Sequence, residues 1–242
     1  MNQNSSYQPY RPLHHTGAVV NTLVRDSKAS TPAFFNGHNN TYALLKTEQI
    51  TNILAFLNQH PDNPEAQKFA IVAMEALENN GEVDFENKVI LDSSFKNSIT
   101  KCIHDKMKSN TNNIYSKMLN YFNSSTQKNI TFSINNSIGS DWGITHGNPQ
   151  VLNDYNIIIN QNNIETNGSN LMRYVTLCHE LIHAFMYDAL EDVGVITFDS
   201  TGSPILNVNC PTNNVNLNNQ NIKDRFVSLI CAMNSAGTLT QD

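Results

Sequence analysis

Two histidines spaced i and i+4, His179 and His183, flank a glutamate at Glu180 in the run Cys178-His179-Glu180-Leu181-Ile182-His183. On a helix these two positions share a face, so both imidazoles offer a nitrogen to one point, at the separation one metal ion needs. The carboxylate beside the first histidine then stands within reach of a water held by that metal. H-E-x-x-H in this form points to hydrolysis at zinc, with His179 and His183 as ligands and Glu180 as general base. The plainer account is a helix whose histidines happen to fall four apart. A satisfied core histidine, however, more often sits alone in the middle of an apolar stripe.

The flanking residues are those of a capped helix. Ser169-Asn170 supplies an N-cap and Gly194 a C′ residue. Between them Leu171, Tyr174, Val175, Cys178, Ile182, Phe185, Met186, Ala189 and Val193 recur with helical period, which predicts one buried stripe. At about 100° per residue, His179 and His183 fall on its edge and Glu180 just beyond, so the ligand side faces an open cleft.

The rest of the chain reads as supporting elements. Residues 1–43 have no periodicity and form an irregular leader, in which His14-His15 reads as a solvated pair. Residues 44–92 form a helical accessory segment. A first helix starts at Thr47 and breaks at His60-Pro61, and a second has Asn63 as N-cap and Pro64 at N1. Glu82 to Glu86 follows as a charged linker. Residues 93–242 form the main domain, with helices over Phe95–Lys108 and Asn113–Phe122 and strands at Ile130–Ile134 and Tyr155–Asn160. A Gly-bearing loop separates those strands. The motif helix comes next, then a polar stretch from Thr197 to Asn221 and a last helix near Ile222–Met233. The order is that of an α+β domain.

Composition narrows the partners. The 242 residues carry a net charge of −6, and 15% are charged. There is no basic stripe, so a nucleic-acid partner is not expected. No apolar run is long enough to span a membrane, and Met1 to Tyr7 lacks the charged and apolar regions of a signal peptide. The expected location is the cytoplasm; the alternatives are export by another route or a fragment of a larger secreted protein. Cys102, Cys178, Cys210 and Cys231 are widely spaced, without a C-x-x-C pair, and read as neither a disulfide scaffold nor a structural zinc site.

The segment Tyr155–Asn160, a short polar spacer and Leu177-Cys178-His179-Glu180-Leu181-Ile182-His183-Ala184-Phe185 together resemble zincin metallopeptidases. The likeness is nearest to SprT-like domains and to metalloprotease domains at the C-termini of bacterial polymorphic-toxin and cell-surface proteins. Some of these carry upstream stretches similar to Ala66–Ala70 and Gly81–Asn87. The resemblance implies a zincin-like α+β domain: a small mixed or antiparallel sheet and an HExxH active-site helix, preceded by a helical hairpin. It implies a zinc-dependent endopeptidase acting on a peptide or protein, with oligomeric state open.

The third ligand does not carry over. No histidine follows His183, and Met186 and Ala189 occupy the positions a metzincin gives to glycine and histidine. The candidates are Asp224 first, from the family's helix order, then Asp199, and His146 upstream; a catalytic zinc keeps three protein ligands and a water. Tyr155–Asn160 is the expected upper edge of the cleft, pairing with an extended peptide, or else an ordinary buried strand. Tyr187 or His146 is the expected oxyanion donor, the alternative for Tyr187 being a packing role. The alternatives are a degenerate zincin scaffold that binds a partner, and a toxin or effector peptidase. A peptide deformylase is disfavoured because its upstream cysteine motif is absent.

Overall fold

Asn63 and Pro64 start a helix as the sequence predicts: the Asn63 side chain accepts from the N–H groups of Glu65 and Ala66. In the computed structural model, which describes residues 45–123, 128–151, 154–207 and 222–235, this is α2 (Pro64–Glu78), paired with α1 (Thr47–Gln59). Phe56 and Phe69 pack edge to face between them, with ring centres 5.2 Å apart. The leader over residues 1–43 lies outside the described residues. The helical pair belongs to one compact unit, which ends at Asn79, and the described residues from Asn80 onward belong to a second.

That division corrects the expected boundary at residue 92. Glu82 to Glu86 is no linker: β1 (Glu82–Asp84) turns back into β2 (Val89–Leu91), and β2 pairs with β3 (Asn129–Asn135). The turn is tied by Asp84, whose carboxylate accepts from the Glu86 and Asn87 N–H groups and the Asn87 amide. Strands of three residues rich in acid carry too little alternation to be seen in sequence.

The sheet has five strands in the order β1-β2-β3-β5-β4, with β4 at Gly143–Gly147 and β5 at Asp154–Asn160. β2, β3 and β5 run parallel; β1 and β4 pair antiparallel at the two edges. This is an α+β unit with a mixed sheet. The segment expected as a Gly-bearing loop is therefore in part the edge strand β4. Conversely, Tyr155–Asn160 lies between β3 and β4, and a strand hydrogen-bonded on both sides cannot accept another.

Helices cover one face of the sheet, where Phe132, Tyr155, Ile157 and Ile159 are buried against Leu177, Leu181 and Ala184. The stretch expected as one helix over Phe95–Lys108 divides into α3 (Ser93–Lys96) and α4 (Ile99–Ser109), because the Ser98 hydroxyl caps α4 by accepting from the Lys101 N–H. After α5 (Ile114–Asn123), β3, β4 and β5, a π-helical turn (Gln161–Thr166) leads into α6 (Asn170–Glu191). The hairpin β6 (Ile196–Phe198) and β7 (Pro204–Leu206) and a last helix, α7 (Ile222–Ser235), complete the unit. Among the described residues no helix is long and apolar enough to cross a membrane.

α6 carries the motif, and its ends are as expected: Ser169 caps it by accepting from the Met172 N–H, and Gly194 sits beyond it at φ 71°. Its buried face differs from the expected stripe. Leu171, Val175, Ile182 and Val193 are exposed, whereas Arg173, Glu180 and Asp188 are buried. Arg173, Glu180 and Asp188 each have a partner. The Arg173 guanidinium donates to the Glu165 carbonyl at 2.7 Å. The Glu165 carboxylate in turn takes the N–H groups of Ile99 and Thr100 at the start of α4. Asp188 accepts from the Tyr121 hydroxyl and, at 2.5 Å, from the Lys128 ammonium. Removing Asp188 leaves the buried Lys128 ammonium to the Asp192 carboxylate, 3.7 Å away. Asp188→Ala is expected to lower unfolding free energy by about 3–5 kcal/mol in urea titration, and Asp188→Leu with Lys128→Met to recover most of it.

The core also holds an imidazole. His104 is buried among Phe95, Phe132 and Tyr115. The Tyr115 hydroxyl, kept protonated by burial, shares a hydrogen bond with its Nδ1 at 2.6 Å. Burial pushes the His104 pKa down from 6.5 to about 4. As pH falls from 6.5 toward 4 the unfolded chain takes up a proton at this site that the fold refuses. Stability therefore drops across that window, by about 3 kcal/mol in full. Denaturation at pH 7 and pH 4.5 should show a smaller loss in His104→Gln than in the wild type.

Candidate functional site

Leu171, Val175, His179, His183 and Tyr187 succeed one another at i+4 along α6 and form a single row. The two histidine rings meet with Nε2 atoms 2.9 Å apart and ring centres 4.6 Å apart. The Tyr187 ring lies 5.9 Å from that of His183, tilted by 40°. Burial and the neighbouring His179 hold the His183 pKa below its ordinary value. A neutral imidazole with a free ring nitrogen is the form that binds metal.

The wall opposite this row is β4. Successive strand residues face opposite ways, and Gly143, Thr145 and Gly147 face α6. A Cβ at Gly143 would stand 2.8 Å from the Glu180 Cγ and 2.9 Å from the Thr176 Cγ2, so only glycine admits the helix this close. A Cβ at Gly147 would lie 2.2 Å from the Phe198 ring. Between the glycines, the Thr145 hydroxyl lies 2.9 Å from the Glu180 carboxylate and 2.9 Å from the Glu180 carbonyl. Burial raises the Glu180 pKa, and the bond from Thr145 only partly offsets this. The buried Thr176 hydroxyl, also on the cleft, has no hydrogen-bond partner.

Row and wall enclose a cleft of about 470 Å³, whose rim includes Asp141, Trp142 and Val175. Its lining has no lysine or arginine among the described residues. The outer side of β4 carries no further strand of the sheet. The Asn160 N–H donates to the Trp142 carbonyl and the Asn148 N–H to the Asp154 carbonyl. This phase turns the N–H and C=O groups of Gly143, Thr145 and Gly147 away from β5. Gly147 N–H is taken by the Gly202 carbonyl; for Gly143 and Thr145 no backbone partner is found among the described residues.

The sequence candidates for a third ligand separate in space. His146 neighbours Thr145 on β4 and so points to the far face of the sheet. There it lines a different cavity of about 330 Å³, with its cross-strand neighbours Asn156 and Thr131. That position also removes it as an oxyanion donor, whereas Tyr187 lines the cleft. Asp199 is used by its own turn, accepting from Thr201 and from the Ser203 N–H, which holds its pKa low. Asp224 lies on α7, and its side chain is outside the described residues. Among the described residues, no group of three or more histidines, cysteines, aspartates or glutamates is placed to hold a metal. Thr145 and Gly143 escaped the sequence reading. The alternation of small inward residues in Gly143-Ile144-Thr145-His146-Gly147 was the available signal.

Comparison of the chain with protein-family models, curated proteins and solved structures finds no match in any of the three. The donors must then be judged by their own geometry. Zinc bonds imidazole nitrogen at about 2.0–2.1 Å, and tetrahedral angles put two such nitrogens about 3.3 Å apart. The observed 2.9 Å needs only a small opening of the two rings, so His179 and His183 fit as two of a zinc ion's protein ligands. Trp142 is the chain's one tryptophan and lines the same cleft. Co²⁺, which quenches indole emission, should dim its fluorescence saturably. The same titration should leave His179→Ala and His183→Ala unquenched.

Proposed function

We propose that this protein is a zinc-dependent endopeptidase with a zincin-like catalytic unit. The observation that carries it is the convergence of the His179 and His183 nitrogens in a cleft shared with the buried Glu180 carboxylate. The antiparallel edge strand beside the HExxH helix supports the same reading. Bound zinc supplies a water acidified toward neutrality and a Lewis acid for the substrate carbonyl.

This chain's own residues do the rest. The Gly143 and Thr145 N–H and C=O groups pair with an extended peptide along the outer side of β4, in place of the role first expected of Tyr155–Asn160. Trp142 and Val175 offer apolar surface to its side chains. Glu180, desolvated and basic, takes the proton of the attacking water and passes it to the leaving amine. The Tyr187 hydroxyl, which burial keeps protonated, donates to the oxygen that gains charge.

A binding scaffold is the second reading, favoured by the lack of a third protein ligand among the described residues. Metal analysis with casein cleavage separates the two. The peptidase reading expects about one zinc per chain, and cleavage reduced about 10²–10⁴-fold in Glu180→Gln with zinc retained. One zinc per chain with no turnover of any peptide would establish the scaffold instead.

A further inference from the structure

We propose that Thr145 is a positioning residue for Glu180, holding its carboxyl in one orientation against β4. The inference rests on the peptidase reading, in which Glu180 gains and returns a proton in each cycle. The Thr145 hydroxyl is buried and lies 2.9 Å from each of two Glu180 oxygens, one on the carboxylate and one on the main chain. It has one hydrogen, so it can donate to only one of them at a time. Either bond ties Glu180, at its side chain or its main chain, to β4.

The hydroxyl thus holds the helix backbone and the carboxyl at one point of the strand. Gly143 contributes by absence, since the space of its missing side chain is filled by the Glu180 Cγ, 2.8 Å from where a Cβ would sit. Because Thr145 is a residue of the open edge, the strand that pairs with a peptide is also the strand that holds the base.

The test compares Thr145→Val, which keeps shape and strand preference but loses the hydroxyl, with Thr145→Ser, which restores it. With both variants zinc-loaded, kcat is expected to fall about 10- to 100-fold in Thr145→Val at nearly unchanged KM. Thr145→Ser is expected to return to within about threefold of wild type. A second readout needs no activity: the Glu180 ¹³Cδ resonance of the zinc-free protein, assigned by its loss in Glu180→Gln. It should shift or broaden in Thr145→Val and recover in Thr145→Ser.

Wild-type kcat in Thr145→Val, or a ¹³Cδ resonance indifferent to both substitutions, overturns the positioning role. A zinc-loaded wild type that cleaves nothing overturns the peptidase reading alone, and the resonance still decides whether Thr145 holds Glu180.

Discussion

The close approach of β4 to α6 is the contact on which the rest depends. The inward face of β4 reads glycine, threonine, glycine, and each residue meets a different part of the opposing surface: Glu180 and Thr176, then Glu180 again, then the Phe198 ring. The missing side chain at Gly143 lets an edge strand lie against a helix, and one hydroxyl ties them. A larger residue at position 147 would displace the Phe198 ring of β6, and one at 143 would push strand and helix apart and widen the cleft. Glu180 would then be wetter and its carboxyl ordinary.

α6 can present a polar row because it is held elsewhere. At its start Arg173 reaches Glu165, which also receives the first N–H groups of α4. At its end Asp188 is held by Lys128 and Tyr121, and Glu191 accepts from Tyr155. Leu177, Leu181 and Ala184 fill the core between these anchors. The side bearing His179 and His183 therefore has no packing duty, and its exposure costs the helix little.

The anchoring explains which parts were legible in the amino-acid sequence. Helix ends are set by single local residues, and Asn63, Ser169 and Gly194 mark theirs plainly. The spacing of His179, Glu180 and His183 survives translation into structure because a helix is rigid over one turn. The buried face of α6 was misread by apolar periodicity, since Arg173, Glu180 and Asp188 are buried through partners remote in sequence. β4 was missed because two of its five residues are glycine, which no strand preference favours. The third ligand was not legible for a related reason: Asp199 and His146 are chemically suitable, and only the sheet's alternation and the turn's own hydrogen bonds remove them.

The two edges of the sheet are protected unequally. β1 is three residues long and carries Glu82 and Asp84, bridged to Lys101 and Lys108. Short length and charge are the usual guards against stray strand pairing. β4 is five residues long and holds no Asp, Glu, Lys or Arg. The Gly202 carbonyl takes its N–H at Gly147, but Gly143 and Thr145 leave a template for any extended chain, including a second copy of this one. The feature that would let the cleft take hold of a peptide thus also sets its hazard: concentrated or partly unfolded protein should begin to aggregate at β4 rather than at β1.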